Sequence, residues 1–161
     1  MPTNIYWLHS VDNGAKLGIM ARPRGGDWLV DEVNHLRNNK VVTLVSLLES
    51  DEIYDLELKM EKDLCRRKEI EYINFPICDR STPKSGNETD QLIDMLFERL
   101  KGGHTIVIHC RMGIGRSSII AAAVLLKFGL KGPEIIESIC QIRGLKVPDT
   151  DKQLAWLMAR K

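Results

Sequence analysis

A chain of 161 residues is long enough for one domain that buries roughly two-thirds of the surface its unfolded form exposes, so neither a disulfide nor a metal is needed to hold it. Lysine and arginine number 23 against 22 aspartates and glutamates, a net charge of +1, which excludes the global basic field of a non-specific nucleic-acid binder and leaves any anion site to be local. The apolar runs fall short of the roughly 20 residues that span a bilayer, no basic-then-apolar leader opens the chain, and cysteines 65, 78, 110 and 140 lack C-x-x-C spacing, so the expectation is a soluble, cytoplasmic protein with free thiols.

Residues 4–9 and 17–21 read as short strands around a turn at Asp12-Asn13-Gly14, since Asn-Gly suits a hairpin. After a loop over 22–26, Asp27 is the expected cap of a helix running to Asn38, with Leu29, Val33 and Leu36 on one face and Asn38-Asn39 ending it. Residues 41–48 are almost continuously apolar, as befits a strand covered on both faces, and should lie centrally. Residues 51–68 are charged, with Ile53, Leu56, Met60 and Leu64 at helical spacing, which predicts one or two helices in a solvated outer layer. Strand character returns over 70–77 and stops at Pro76, and 78–86 is a loop.

Asn87 is the expected cap of a helix to Lys101, striped by Leu92, Leu96 and Leu100 and stopped by Gly102. A β-branched strand follows over 105–108, and 117–128 is a nearly unbroken apolar helix. Pro133 suits the first turn of a helix to Arg143 that carries Ile135, Ile139 and Ile142. Asp149 or Thr150 then caps a last helix with Leu154, Leu157 and Met158 inward. Strands alternating with helices predict a single α/β domain over 1–161: a central, mostly parallel sheet flanked by helices on both faces, with ligands bound beyond the carboxyl ends of its strands.

Cys110 occupies such an end. It opens the stretch His109-Cys110-Arg111-Met112-Gly113-Ile114-Gly115-Arg116-Ser117-Ser118, held between the strand over 105–108 and the apolar helix. A cysteine attacks as its thiolate, and a free thiol has a pKa near 8.5, so work at neutral pH needs the charged form stabilised. The N–H groups of Arg111, Met112, Gly113, Ile114, Gly115 and Arg116 can curl round one point, with Gly113 and Gly115 allowing backbone angles that other residues resist. The helix N-terminus adds its dipole, Arg116 can return a guanidinium to the rim as a two-pronged phosphate ligand, and the Ser117 hydroxyl can donate to the sulfur. This is a cradle for a tetrahedral oxyanion beside a nucleophile. His109 is expected to hydrogen-bond backbone and steady the cysteine.

His-Cys-x5-Arg-Ser, with glycine third after the cysteine, resembles the signature of the cysteine-dependent protein tyrosine phosphatases, and the compact chain resembles their dual-specificity branch. Residues 41–49 are similar to that branch's strand, and Phe75-Pro76-Ile77-Cys78-Asp79 to its general-acid loop. The resemblance implies that Cys110 forms a phosphocysteine without metal or cofactor, that Arg116 and the loop amides hold the phosphoryl group, and that Asp79 protonates the leaving oxygen. Asp79 by itself reads as a turn former. A leaving alkoxide or phenoxide needs a proton, however, and no glutamate or histidine is expected in a comparable loop at a neighbouring strand end.

The implied function is hydrolysis of phosphotyrosine and phosphoserine or phosphothreonine in a protein or peptide by a monomer, with no nucleic-acid or membrane partner. No counterpart of the tyrosine-bearing recognition loop of the larger tyrosine-specific enzymes is found, which favours a shallow pocket. Rival readings are a phosphatase of phosphoinositides or RNA 5′ phosphates, a phosphate-binding module without catalysis, and sulfur transfer by a rhodanese-like loop. Arg80 and Arg111 can meet substrate acids or simply face solvent. Gln153 can align a water, but reads better as a helix-surface glutamine. Cys78, next to Asp79, can trap an oxidised Cys110 as a disulfide if the acid loop closes.

Overall fold

Thr105–His109, here β5, is buried along its whole length, and a strand with apolar side chains on both sides has to lie inside a sheet covered on both faces. The computed structural model, which describes residues 1–160, places it in the middle of a five-stranded sheet in the order β1-β2-β5-β3-β4. Its neighbours are β2 (Lys16–Met20) and β3 (Val41–Ser46), both parallel to it. The edges are β1 (Tyr6–Ser10), antiparallel to β2, and β4 (Glu71–Asn74), parallel to β3. The mostly parallel α/β sheet is therefore as expected, with β3 one place from the centre.

Side chains alternate across this sheet and define two cores. Leu17, Ile19, Val45, Ile106 and Ile108 face α4 (Gly86–Lys101), α5 (Arg116–Leu126), α6 (Gly132–Arg143) and α7 (Asp151–Met158). Met20, Leu44 and Val107 face α1 (Leu29–Asn38) and α3 (Glu61–Arg67), with Leu29, Val33, Leu36 and Cys65 packed on them. A short helix, α2 (Ser50–Asp55), follows the end of β3. Among the described residues, no helix is long and apolar enough to cross a membrane.

Several local expectations are corrected. Asp27 does not cap α1: it lies within a turn of 3-10 helix, Gly26–Trp28, that runs into α1. Ser85, not Asn87, caps α4 by accepting the Glu88 N–H at 3.2 Å, because Asn87 already lies inside the first turn. Gly102 does end α4, as expected, at a φ of −82°, and Gly103 takes the positive φ. Met158 is exposed, since α7 buries Leu157 and Gln153 instead. The stretch 51–68 forms two helices, as one of the alternatives had it, but it is no simple solvated layer: Glu52 and Glu61 are buried.

Candidate active site

β5 delivers Cys110 to the carboxyl end of the sheet, and α5 begins six residues later, so the loop between them is closed at both ends by buried backbone. The hydrogen bonds that reach this loop from outside end on its carbonyls. Arg22 N–H donates to the Arg111 carbonyl at 3.1 Å, and Arg143 Nε and Nη2 donate to the Gly113 and Met112 carbonyls at 2.9 and 3.2 Å. Carbonyls held outward leave the intervening N–H groups free to face an anion. Arg143, itself stacked over the Tyr6 ring at 4.1 Å, is thus a builder of the loop that the sequence reading took only as a helix end.

The glycines serve the loop in different ways. Gly113 has a φ of +70°, and a Cβ there would come within 2.7 Å of Met20 and Ala21 backbone, so both conformation and space require glycine. Gly115 has an ordinary φ of −94°. Its requirement is space alone: a Cβ would sit 2.8 Å from Gln153 Oε1 and 2.9 Å from Asp149 Cβ. The expected backbone freedom at Gly115 is therefore corrected to a close approach of α7.

Cys110 is buried, with Sγ 3.2 Å from Ser117 Oγ, a distance at which the hydroxyl can donate to a thiolate. His109 is wholly buried. Its Nδ1 lies 3.2 Å from the Cys110 carbonyl and its Nε2 2.8 Å from Glu61 Oε2, so the ring faces an acceptor at each nitrogen. Burial by itself disfavours the charged imidazole, but the Glu61 carboxylate, with the Cys110 carbonyl, outweighs it and holds His109 above its usual range.

Arg116 is 2% exposed and lies in the floor of the site rather than on its rim. Nη1 and Nη2 donate to Glu52 Oε1 and Oε2 at 2.7 and 2.9 Å, a two-pronged pair, and Nη1 also donates to the Ile77 carbonyl at 2.9 Å. Burial raises the Glu52 carboxyl, yet Arg116 and the Glu49 N–H more than offset this and hold it below its usual range. Glu52 follows β3 at the same end of the sheet, so the expectation of no glutamate in a neighbouring strand-end loop is corrected. Being held ionised by a guanidinium, it orients Arg116 and is unsuited to donating a proton. Its signal in the sequence was a carboxylate a few residues beyond a buried parallel strand. Glu61, in the middle of a charged run, had none.

Asp79 Oδ1 reaches Arg116 Nη2 at 3.2 Å while the side chain stays exposed, which puts a carboxyl at the mouth of the cradle. Asp79, Arg80, Cys110, Met112, Ile114, Gly115, Arg116, Asp149 and Gln153 enclose a pocket of about 60 Å³. Arg80 pairs with Asp149 at 3.1 Å, and Arg111, half exposed, lies 4.0 Å from Glu52. Gln153, read as a surface glutamine, is instead buried. Cys78 is exposed and Cys110 buried, and both are free thiols.

A cysteine-to-arginine loop thus stands at the end of the central parallel strand, with an aspartate at its mouth. Residues 18–130 match the family described as polymorphic toxin system, DSP-PTPase phosphatase, and the chain belongs to it. It is 32% identical over 97 residues to cyclin-dependent kinase inhibitor 3 of Rattus norvegicus, covering 59% of this chain and 45% of that one, so it spans less than half the length of this curated relative. The fold is similar to that of kinase associated phosphatase, solved with its catalytic-site cysteine replaced by serine, at a TM-score of 0.86 and 23% identity over 98% of this chain and 93% of that one. The active form of Tk-PTP superposes with a TM-score of 0.74 at 22% identity, covering 97% and 98% of the two chains.

Proposed function

We propose that this protein is a cysteine-dependent protein phosphatase that hydrolyses phosphotyrosine and phosphoserine or phosphothreonine monoesters through a phosphocysteine. The observation that carries this reading is the convergence of Cys110, Arg116 and Asp79 on one pocket. In the first step the Cys110 thiolate attacks phosphorus, the S–P bond forms as the O–P bond breaks, and the leaving oxygen takes the Asp79 proton. In the second, water gives a proton to the Asp79 carboxylate and attacks phosphorus. The S–P bond breaks, phosphate leaves, and the thiolate returns to the Ser117 hydroxyl 3.2 Å away. The loop amides from Arg111 to Gly115 and the Arg116 guanidinium hold the phosphoryl oxygens throughout, and His109 steadies the cysteine from below.

The pocket is small, about 60 Å³, and among the described residues no tyrosine lines it, which supports acceptance of a phosphorylated serine or threonine side chain as well as a tyrosine. Protein phosphates suit it better than phosphoinositides or RNA ends, because the rim cations Arg80 and Arg111 already face Asp149 and Glu52. The site is complete within one chain, which suits a monomer, and free thiols suit a reducing cytoplasm.

Turnover of para-nitrophenyl phosphate, lost in Cys110→Ser and undiminished by EDTA, is the expected result. No turnover by the unaltered protein overturns the reading. Phosphotyrosine and phosphothreonine peptides assayed side by side test its breadth, and complete refusal of the latter restricts it to tyrosine.

A further inference from the structure

The acid loop is pinned to the start of α7. Ser81 N–H donates to the Cys78 carbonyl at 3.0 Å, closing a turn in which Arg80 has a φ of +61°, a left-handed conformation that a non-glycine residue keeps only when its surroundings impose it. Exposed groups supply part of that restraint: Arg80 Nη1 donates to Asp149 Oδ2 at 3.1 Å, Thr150 Oγ1 to the Arg80 carbonyl at 3.4 Å, and Lys152 Nζ to Ser81 Oγ at 3.5 Å. One restraint comes from a fully buried side chain, because Gln153 Nε2 donates to the Ser81 carbonyl at 3.0 Å.

The other end of that amide is committed too. Gln153 Oε1 accepts the Asp149 and Thr150 N–H groups, both at 3.1 Å, as the reciprocal half of the capping box in which Thr150 accepts the Gln153 N–H. A carbonyl oxygen has two lone pairs, so this one has no acceptor left for an attacking water. The same amide fills the space above Gly115, where any Cβ would collide with it. Gln153 therefore touches the phosphate loop on one side and the acid loop on the other.

We propose that Gln153 is a positioning residue for Asp79: wedged against Gly115 and bonded to the Ser81 carbonyl, it fixes how far the acid loop stands from Cys110. This rests on the phosphatase reading. It assigns Gln153 to holding Asp79 in place, and not to contact with the attacking water.

The test is kcat across aryl phosphates of graded leaving-group pKa, for Gln153→Met and Gln153→Glu, each also made in an Asp79→Asn background. Glutamate keeps both capping acceptors but cannot donate to Ser81, so it carries the comparison should the methionine variant fail to fold. A mispositioned acid matters most for poor leaving groups, so kcat is expected to fall about tenfold or more on phenyl phosphate and about threefold or less on para-nitrophenyl phosphate, with KM little changed. In the Asp79→Asn background the same changes are expected to cost almost nothing further. A loss as large in the Asp79→Asn background as in the unaltered one overturns the proposal, because Gln153 then acts without Asp79. Unchanged kinetics also overturn it. If the unaltered protein turns over no ester, the phosphatase reading itself falls, and the positioning role with it.

Discussion

Among individual residues, Glu52 bears most on both stability and the site. Arg116 could not be buried at the end of a sheet without a carboxylate opposite it, since an unpaired buried guanidinium is far costlier than the pair. Glu52→Gln keeps the shape and removes the charge, so it is expected to lower stability by about 3 kcal/mol and to weaken phosphate binding as Arg116 loses its two-pronged partner. Urea unfolding and product inhibition by inorganic phosphate check the two effects separately, and an unchanged unfolding midpoint would contradict the first. The cysteines differ in the same physical way. Burial, helped by the Glu61 carboxylate, pushes the Cys65 thiol up to about 12, whereas Cys78 is exposed. Iodoacetamide on the native protein should therefore label Cys78 and spare Cys65 until urea is added.

At the scale of elements, helix starts decide where the site's parts stand. α4 begins at the Ser85 cap, four residues after Ser81, and α7 at the Thr150–Gln153 box, whose glutamine donates to the Ser81 carbonyl. Ser85→Ala is expected to cost about 1 kcal/mol. Asn87→Ala, two positions further in, is expected to cost nothing, since alanine is the better helix former there. Equal costs in urea titrations of the two variants would restore Asn87 as the cap. α5 has no side-chain cap at all. Its first turn is occupied by Arg116, Ser117 and Ser118, all buried, and a helix start without a cap leaves its first N–H groups free for an anion.

For the whole molecule, buried charges set how stability responds to pH. His109 sits above its usual value in the folded protein, so its contribution is complete below the unfolded value near 6.5 and is lost as pH rises through the folded value. Glu52 sits below its usual value, so its contribution is complete above the unfolded carboxyl range and is lost as pH falls through the folded one. Stability is expected to peak in the weakly acidic window between them. Urea midpoints measured from pH 4 to 9 should decline on both sides of it, and Glu61→Gln, which removes the partner at His109 Nε2, should flatten the alkaline decline. A decline as steep in that variant as in the parent would show that another group is responsible.

The contiguous features were legible in the sequence. Apolar patterning placed the strands and most helices within a few residues, because it is written along the chain itself, but it left 51–68 open between one helix and the two that form, and did not show the 3-10 turn at Gly26–Trp28. The run from Cys110 to Arg116 was legible for the same reason, since residues 110–115 form one uninterrupted loop between β5 and α5. What the sequence did not contain was the pairing of that loop with carboxylates and amides from elsewhere: Glu52 and Glu61 join Arg116 and His109 across 64 and 48 residues, and Gln153 meets Ser81 across 72. A glutamate in a charged helix reads alike whether it faces water or a guanidinium, and a glutamine near a helix start reads alike whether it is exposed or wedged between loops. Only the order of strands in the sheet, and the faces on which the helices pack, bring those side chains to the one end where Cys110 sits.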